Sequence, residues 1–204
     1  MPHLEVMLKA LYNSTKFSFK LIIVESESTD GTAEFVDEYL ASQTNVEVYH
    51  TKKEGLTSAI NFGIKKAGKL DVYLTQDDVI HFPLYGRDWL MDMHDSSKEK
   101  GMGIVTGHSG GGISGPDYLP NLKWVGTWNA YIPRKALNKV GLFDKNMGPG
   151  DDIDFCYRLG KAGLCGRVID YWVQHHRLTE HGSVDNEKRQ KEMGDYFRKK
   201  HGIK

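Results

Sequence analysis

Leu4, Met7, Leu8 and Leu11 recur at the three- and four-residue intervals of one helix face, so the chain opens on an amphipathic helix. Phe19 to Val24 is a continuous apolar, β-branched run, the pattern of a strand buried on both faces. Ser28-Thr29-Asp30-Gly31-Thr32 supplies turn and N-cap chemistry, and Phe35, Val36, Tyr39 and Leu40 mark the helix behind it. Val46 to Tyr49 alternates as a short strand, and Leu56, Ile60, Ile64 and Ala67 predict a helix that stops near Gly68. A strand over Asp71–Thr75, a helix around Trp89, Leu90 and Met93, and a strand over Gly103–Thr106 continue the alternation. Such alternation predicts an α/β sandwich of Rossmann type, with a mostly parallel sheet and flanking helices.

Regularity breaks at His108–Pro120, which is rich in glycine and proline and reads as a long functional loop. Gly110, Gly112 and Gly115 match the dinucleotide spacing G-x-G-x-x-G, but Pro116 and Pro120 follow where that motif needs a helix to open. Dinucleotide binding is therefore set aside in favour of a lid or acceptor loop. Beyond it, Trp124–Pro133 reads as strand, Ile153 to Gly163 as helix and Arg167–Gln174 as strand. Asp185–His201 is so highly charged that it reads as a solvated flanking helix. No repeat or linker divides the chain, so residues 1–204 are expected to form a single domain.

Composition narrows the function. The 27 lysines and arginines balance the 27 aspartates and glutamates, which argues against a nucleic-acid binder working through a basic field. No apolar run reaches the roughly 18 residues of a membrane span, and the first residues lack the layout of a signal peptide. Two cysteines, Cys156 and Cys165, suggest neither a disulfide framework nor a cysteine zinc site, and a cytoplasmic location is expected.

The chemistry concentrates in two acidic clusters. Gln76-Asp77-Asp78 directly follows the apolar run Val72-Tyr73-Leu74, and in α/β proteins the carboxyl ends of strands face the ligand crevice. Hard oxygen ligands there suit Mg²⁺ or Mn²⁺ holding a phosphate. The second cluster, Asp151-Asp152-Ile153-Asp154, opens a helix, where a carboxylate can act as a base or merely stabilise the helix N-terminus. Together they point to metal-assisted group transfer from a diphosphate.

Five segments, taken in order, resemble family 2 glycosyltransferases of the GT-A fold. Ile22-Ile23-Val24-Glu25-Ser26-Glu27-Ser28-Thr29-Asp30-Gly31-Thr32 is similar to the family's second strand and turn, with Glu27 where glycine is usual. Glu54–Ile64 resembles its helix with G…A.N.G spacing, through Gly55, Ala59, Asn61 and Gly63. Gln76-Asp77-Asp78 resembles the acidic metal motif, with Gln76 in place of the first acid. Asn129–Leu137 with Val140–Asp144, and then Gly150–Leu159, resemble its R…GgFDe and gEDvDlclRl segments, with Asp151 where glutamate is usual.

The resemblance implies an inverting, metal-dependent glycosyltransferase. It moves a sugar from a nucleoside-diphosphate donor to a carbohydrate or other hydroxyl acceptor. It implies Asp152 as the catalytic base; Glu25, Asp30, Asn61 and Asp77 as donor-binding residues; and Asp78 with His175 as ligands of Mn²⁺ or Mg²⁺. Asp151 is placed at the acceptor, and Trp124 and Trp128 either stack on the acceptor sugar or belong to the core. His181 is a weaker metal candidate than His175. One departure stands out: the chain opens at the family's first helix, without the strand that normally precedes it. An unpaired edge beside Phe19–Val24, some self-association and weakened nucleotide binding are expected. The rival reading is a non-catalytic nucleotide-sugar or carbohydrate binder. Pyrophosphorylases and receiver domains fit less well, since the glycine-rich N-terminal loop of the first and the late lysine-bearing strand of the second are missing.

Overall fold

The computed structural model describes residues 2–108, 125–175 and 186–203. In chain order, α1 (Pro2–Ser14) leads to β1 (Leu21–Glu25), α2 (Thr32–Ser42), β2 (Val46–His50), α3 (Leu56–Lys66) and β3 (Val72–Thr75). Then come β4 (Val79–His81), α4 (Trp89–Ser97), β5 (Met102–His108), β6 (Asn129–Ile132), α5 (Arg134–Val140), α6 (Asp151–Lys161), β7 (Cys165–His175) and α7 (Asn186–His201).

The expectation of a mostly parallel sheet needs correction. The main sheet is mixed, in the order β3-β6-β5-β7-β4, and β1 pairs in parallel with β2 in a separate two-stranded sheet. β6 runs antiparallel to both β3 and β5, β5 runs parallel to β7, and β4 is antiparallel to β7. Strand–helix alternation signals parallel neighbours only while each strand takes the next place by a crossover. Here β6 inserts between β3 and β5 against their direction, and β4 is a three-residue return strand.

The sheet is buried on both faces, as the apolar strands require. Residues of β5 and β6 serve both sides, with a register shift between Met102 and Ile104. Met102, Val105 and Tyr131 pack with Leu8 and Leu11 of α1 and Trp89 and Met93 of α4. Ile104, Ala130 and Ile132 pack with Ile64 of α3, Leu137 of α5, and Phe155 and Leu159 of α6. The helix predicted to be a solvated flank, α7, is partly buried: Phe197 packs with Met147 and Ile153 with no exposed surface.

Within the first layer, the rings of Trp89, Tyr171 and His81 stack in a buried pile, with Trp89 and Tyr171 centroids 4.8 Å apart. His81 exchanges hydrogen bonds with Thr75 Oγ1 at 3.2 Å and the Tyr171 hydroxyl at 3.1 Å. Burial drives its imidazole down to about 3. The folded state therefore keeps His81 neutral, while the unfolded chain protonates it below about pH 6.5. Its stabilisation is complete above that pH and is lost as pH falls from there toward 3, by about 2 kcal/mol at pH 5. Wild-type protein should therefore lose roughly 4–8 °C of Tm between pH 7 and pH 5 beyond whatever His81→Phe loses. Equal losses in both proteins would show that His81 is not the group responsible.

Between the two sheets lies a cavity of about 680 Å³. Leu21, Ile22 and Val24 of β1 line one side and Val72, Leu74 and Thr75 of β3 the other. Among the described residues, β1 pairs only with β2 and β3 only with β6, so both strands turn an open edge toward this slot.

Candidate active site

The topology gathers strand ends at one edge. β3, β5 and β7 all run the same way, because β6 is antiparallel to both β3 and β5 and β5 is parallel to β7. Thr75, His108 and His175 therefore finish together. Val79 pairs with His175, which brings Asp78, one residue earlier, against the imidazole: His175 Nε2 lies 3.3 Å from Asp78 Oδ1. Apart from that ion pair, Asp78 Oδ1 is buried without a hydrogen-bond donor. Burial pushes the Asp78 carboxyl up, and His175 beside it works in the opposite direction. A buried carboxylate oxygen short of donors next to an imidazole suits a divalent cation, and Mg²⁺-type sites commonly use one or two carboxylates plus substrate phosphate. Asp77 is exposed, and among the described residues no three carboxylate, imidazole or thiol groups converge into a complete metal cage. Any ion held here would have to complete its shell with water or a bound ligand.

Trp128 forms a wall of this site, its ring stacked on His175 at 5.3 Å. A Cβ at Gly126 would fall 2.1 Å from the Trp128 ring, so only glycine lets the indole fold back there. Trp124 and His181, and residues 109–120 of the long loop, lie outside the described residues.

The second acidic cluster opens α6, a helix that touches the segment before β6. The Val125 carbonyl accepts the Cys156 thiol at 3.7 Å, and Cys156 lies one helical turn beyond Asp152 on α6. The three carboxylates of α6's first turn have different partners. Asp151 Oδ2 accepts Thr57 Oγ1 at 2.6 Å, which ties α6 to the start of α3. Asp154, with no exposed surface, is bonded by Arg158, Lys200 and His201 at 2.6–2.8 Å. Asp152 Oδ1 accepts Ile153 N–H at 2.7 Å, and among the described residues no side chain bonds it. Burial and the adjacent charge of Asp151 push the Asp152 carboxyl up to about 8. A helix N-terminus by itself would lower it, so desolvation prevails.

The donor-binding candidates divide. Glu25 is buried at the end of β1; Oε1 accepts Ser28 N–H at 2.5 Å and Oε2 lies 3.0 Å from His50 Nδ1. Burial alone would raise its carboxyl, but the Ser28 amide and His50 outweigh that and leave it below the usual range. His50 also bridges to Asp37 at 2.9 Å, a partner that the sequence did not suggest. Asp30 Oδ1 accepts both the amide and the hydroxyl of Thr32, the geometry of a cap on α2. Asn61 spends both polar ends on the Phe143 backbone, at 2.8 and 3.0 Å, and so fixes the loop before α6. Glu27 stands where the resemblance places glycine, and it is the one non-glycine with positive φ among the described residues, at 53°. The turn thus keeps a glycine-type backbone under a glutamate, a strain on the order of 1 kcal/mol, while Glu27 Oε2 accepts Lys53 N–H at 3.1 Å.

Comparison with known proteins identifies the family and the fold. Residues 2–145 match the model of Glycosyl transferase family 2. An uncharacterized glycosyltransferase of Rickettsia bellii is 32% identical over 73 residues, 35% of this chain and 10% of that protein. Among solved structures, the mannosyltransferase PcManGT of Pyrobaculum calidifontis, in complex with GDP-Man and Mn²⁺, superposes with a TM-score of 0.74 at 18% identity. That match covers 100% of this chain and 61% of the mannosyltransferase. S. aureus TarS 1-349, in complex with UDP-GlcNAc, gives a TM-score of 0.62 at 17% identity over 93% of this chain and 61% of that one. The chain therefore spans less than two thirds of these relatives. Among its described residues, no helix is long and apolar enough to cross a membrane.

Proposed function

This chain belongs to glycosyl transferase family 2, and on that footing we propose that it transfers a sugar from a nucleoside-diphosphate donor to a hydroxyl acceptor, with inversion at the anomeric carbon. The observation that carries the reading is Asp152: a buried carboxylate, raised to about 8 and, among the described residues, without a side-chain partner, between two carboxylates that are tied down. A base poised near neutral pH takes a hydroxyl proton efficiently. Asp152 accepts the acceptor's proton as its oxygen attacks the anomeric carbon; the bond to the diphosphate breaks on the opposite face, and the pair of electrons leaves with the nucleoside diphosphate. A single displacement inverts the centre, the geometric logic of inverting glycosidases. Asp78 and His175 would hold Mn²⁺ or Mg²⁺, which would neutralise the charge gained by the departing diphosphate. The GDP-Man and Mn²⁺ bound by PcManGT support that assignment. Glu25 and Asp77 border the donor in this reading, and Trp128, stacked on the ligand His175, shapes the wall around it.

The stereochemistry tests the mechanism. NMR of the product should show the anomeric configuration opposite to that of the donor. Retention would require a covalent or front-face route and would exclude Asp152 as the sole base.

The open edges of β1 and β3 support a lesser proposal, self-association by strand pairing. Light scattering should give an apparent mass that rises with protein concentration. The mass of one chain at every concentration would contradict it.

A further inference from the structure

The family match ends at residue 145, and α7 lies beyond it. Yet this helix reaches the carboxylates on either side of the proposed base. Lys200 Nζ lies 2.7 Å from Asp144 Oδ2 and 2.6 Å from Asp154 Oδ1. The Tyr196 hydroxyl donates to the same Asp144 oxygen at 3.0 Å, and His201 Nε2 sits 2.8 Å from Asp154 Oδ1. Phe197, fully buried, packs on Met147 and Ile153, which belong to the segment that these contacts bracket. One cation thus closes a loop: Asp144 lies before the 3₁₀ turn at Gly148–Gly150, and Asp154 lies just after it in α6. Asp152 is carried inside that loop, and on its other side Thr57 holds Asp151.

We propose that Lys200 is a positioning residue for the transfer reaction. It pins Asp144 to Asp154 and thereby sets where the Asp152 carboxylate meets the acceptor hydroxyl. The proposal rests on the reading of Asp152 as base. Its physical ground is geometric: one partly buried ammonium bridges two carboxylates that other contacts also hold. Arg158 holds Asp154 on its remaining oxygen while donating to the Val140 and Leu142 carbonyls, so the anchor is rigid. Without Lys200, the Asp144 and Asp154 carboxylates lose the cation that they share, and the remaining contacts of Tyr196, Arg158 and His201 do not tie one to the other directly. A misplacement of about 1 Å in a reacting group costs on the order of 10²-fold in rate.

The test compares Lys200→Met, Lys200→Arg and Asp152→Asn, alone and combined, in steady-state transfer with the folded fraction checked by circular dichroism. Lys200→Met should lower kcat on the order of 10- to 100-fold and leave the donor KM within about threefold, and Lys200→Arg should restore most of the loss. In the Asp152→Asn background, Lys200→Met should have almost no further effect, because it acts through the missing base. Wild-type kcat in folded Lys200→Met, or a full additional loss in the double variant, overturns the proposal and leaves Lys200 a purely structural residue. If Lys200→Met does not fold, Asp144→Asn weakens the same bridge: a reduced kcat supports the proposal and an unchanged one overturns it. Full activity of Asp152→Asn would remove the base and this proposal together. An inactive Asp152→Asn beside an unaffected Lys200→Met would remove only the positioning role.

Discussion

Asp152→Asn should lower turnover by about 10²–10⁴, the usual loss when a general base is removed, while donor affinity stays close to wild type. The substitution keeps shape and removes basicity at a buried site whose neighbours are tied to α3 and α7, so the surroundings have little reason to rearrange. The pH profile adds an independent readout. With the Asp152 carboxyl raised to about 8, the base is mostly protonated at pH 7. kcat/KM should therefore climb about tenfold per unit below that value and level off above it. Stability should move the other way. From about 4 to about 8 the unfolded chain has lost the proton and the folded one keeps it, so stability falls as pH rises through that window. Asp152→Asn should accordingly raise Tm at pH 8, a trade of stability for function. An effect on turnover of tenfold or less, with a flat profile through pH 8, would place the base elsewhere.

Asp78→Ala should abolish metal-dependent donor binding. Loss of a residue that merely supports a ligand costs 10–100-fold in metal affinity, so loss of a direct ligand should cost at least about 100-fold. EDTA should stop transfer in the wild type, and Mn²⁺ should restore it. Calorimetry of nucleoside-diphosphate binding with and without Mn²⁺ checks this directly: the wild type should show a large metal-dependent gain and Asp78→Ala almost none. Full activity in EDTA, or an unchanged donor affinity in Asp78→Ala, would rule out the site formed with His175.

The sequence carried the strand ends and the charges, but not the contacts made across long separations. Asp78 and His175 were each legible as polar residues closing an apolar strand, and the structure pairs them through the register of β4 with β7. β4 itself was not legible: three residues give no period, and its partner lies more than ninety residues away. α5 was hidden for a similar reason, a seven-residue helix after Pro133 with only Ala136 and Leu137 buried. The parallel sheet was overcalled because local alternation says nothing about where β6 inserts. α7 was misread as a solvated flank because its charges swamp its fully buried anchor, Phe197. Charge in a sequence reads as solvent exposure, and only the facing carboxylates of Asp144 and Asp154 show that Lys200 is an exception. The identities of Asp151 and Asp152 were equally ambiguous on paper. Thr57, ninety-four residues from Asp151, is what separates a tether from a candidate base.

The most direct test is release of nucleoside diphosphate from UDP-, GDP- and dTDP-sugars in the presence of Mn²⁺ and a panel of hydroxyl acceptors. The account predicts acceptor-stimulated, EDTA-sensitive release from at least one donor, lost in Asp152→Asn while that variant still binds the donor. Binding of a nucleotide sugar with no release under any of these conditions would contradict it and leave the chain a carbohydrate-nucleotide binder.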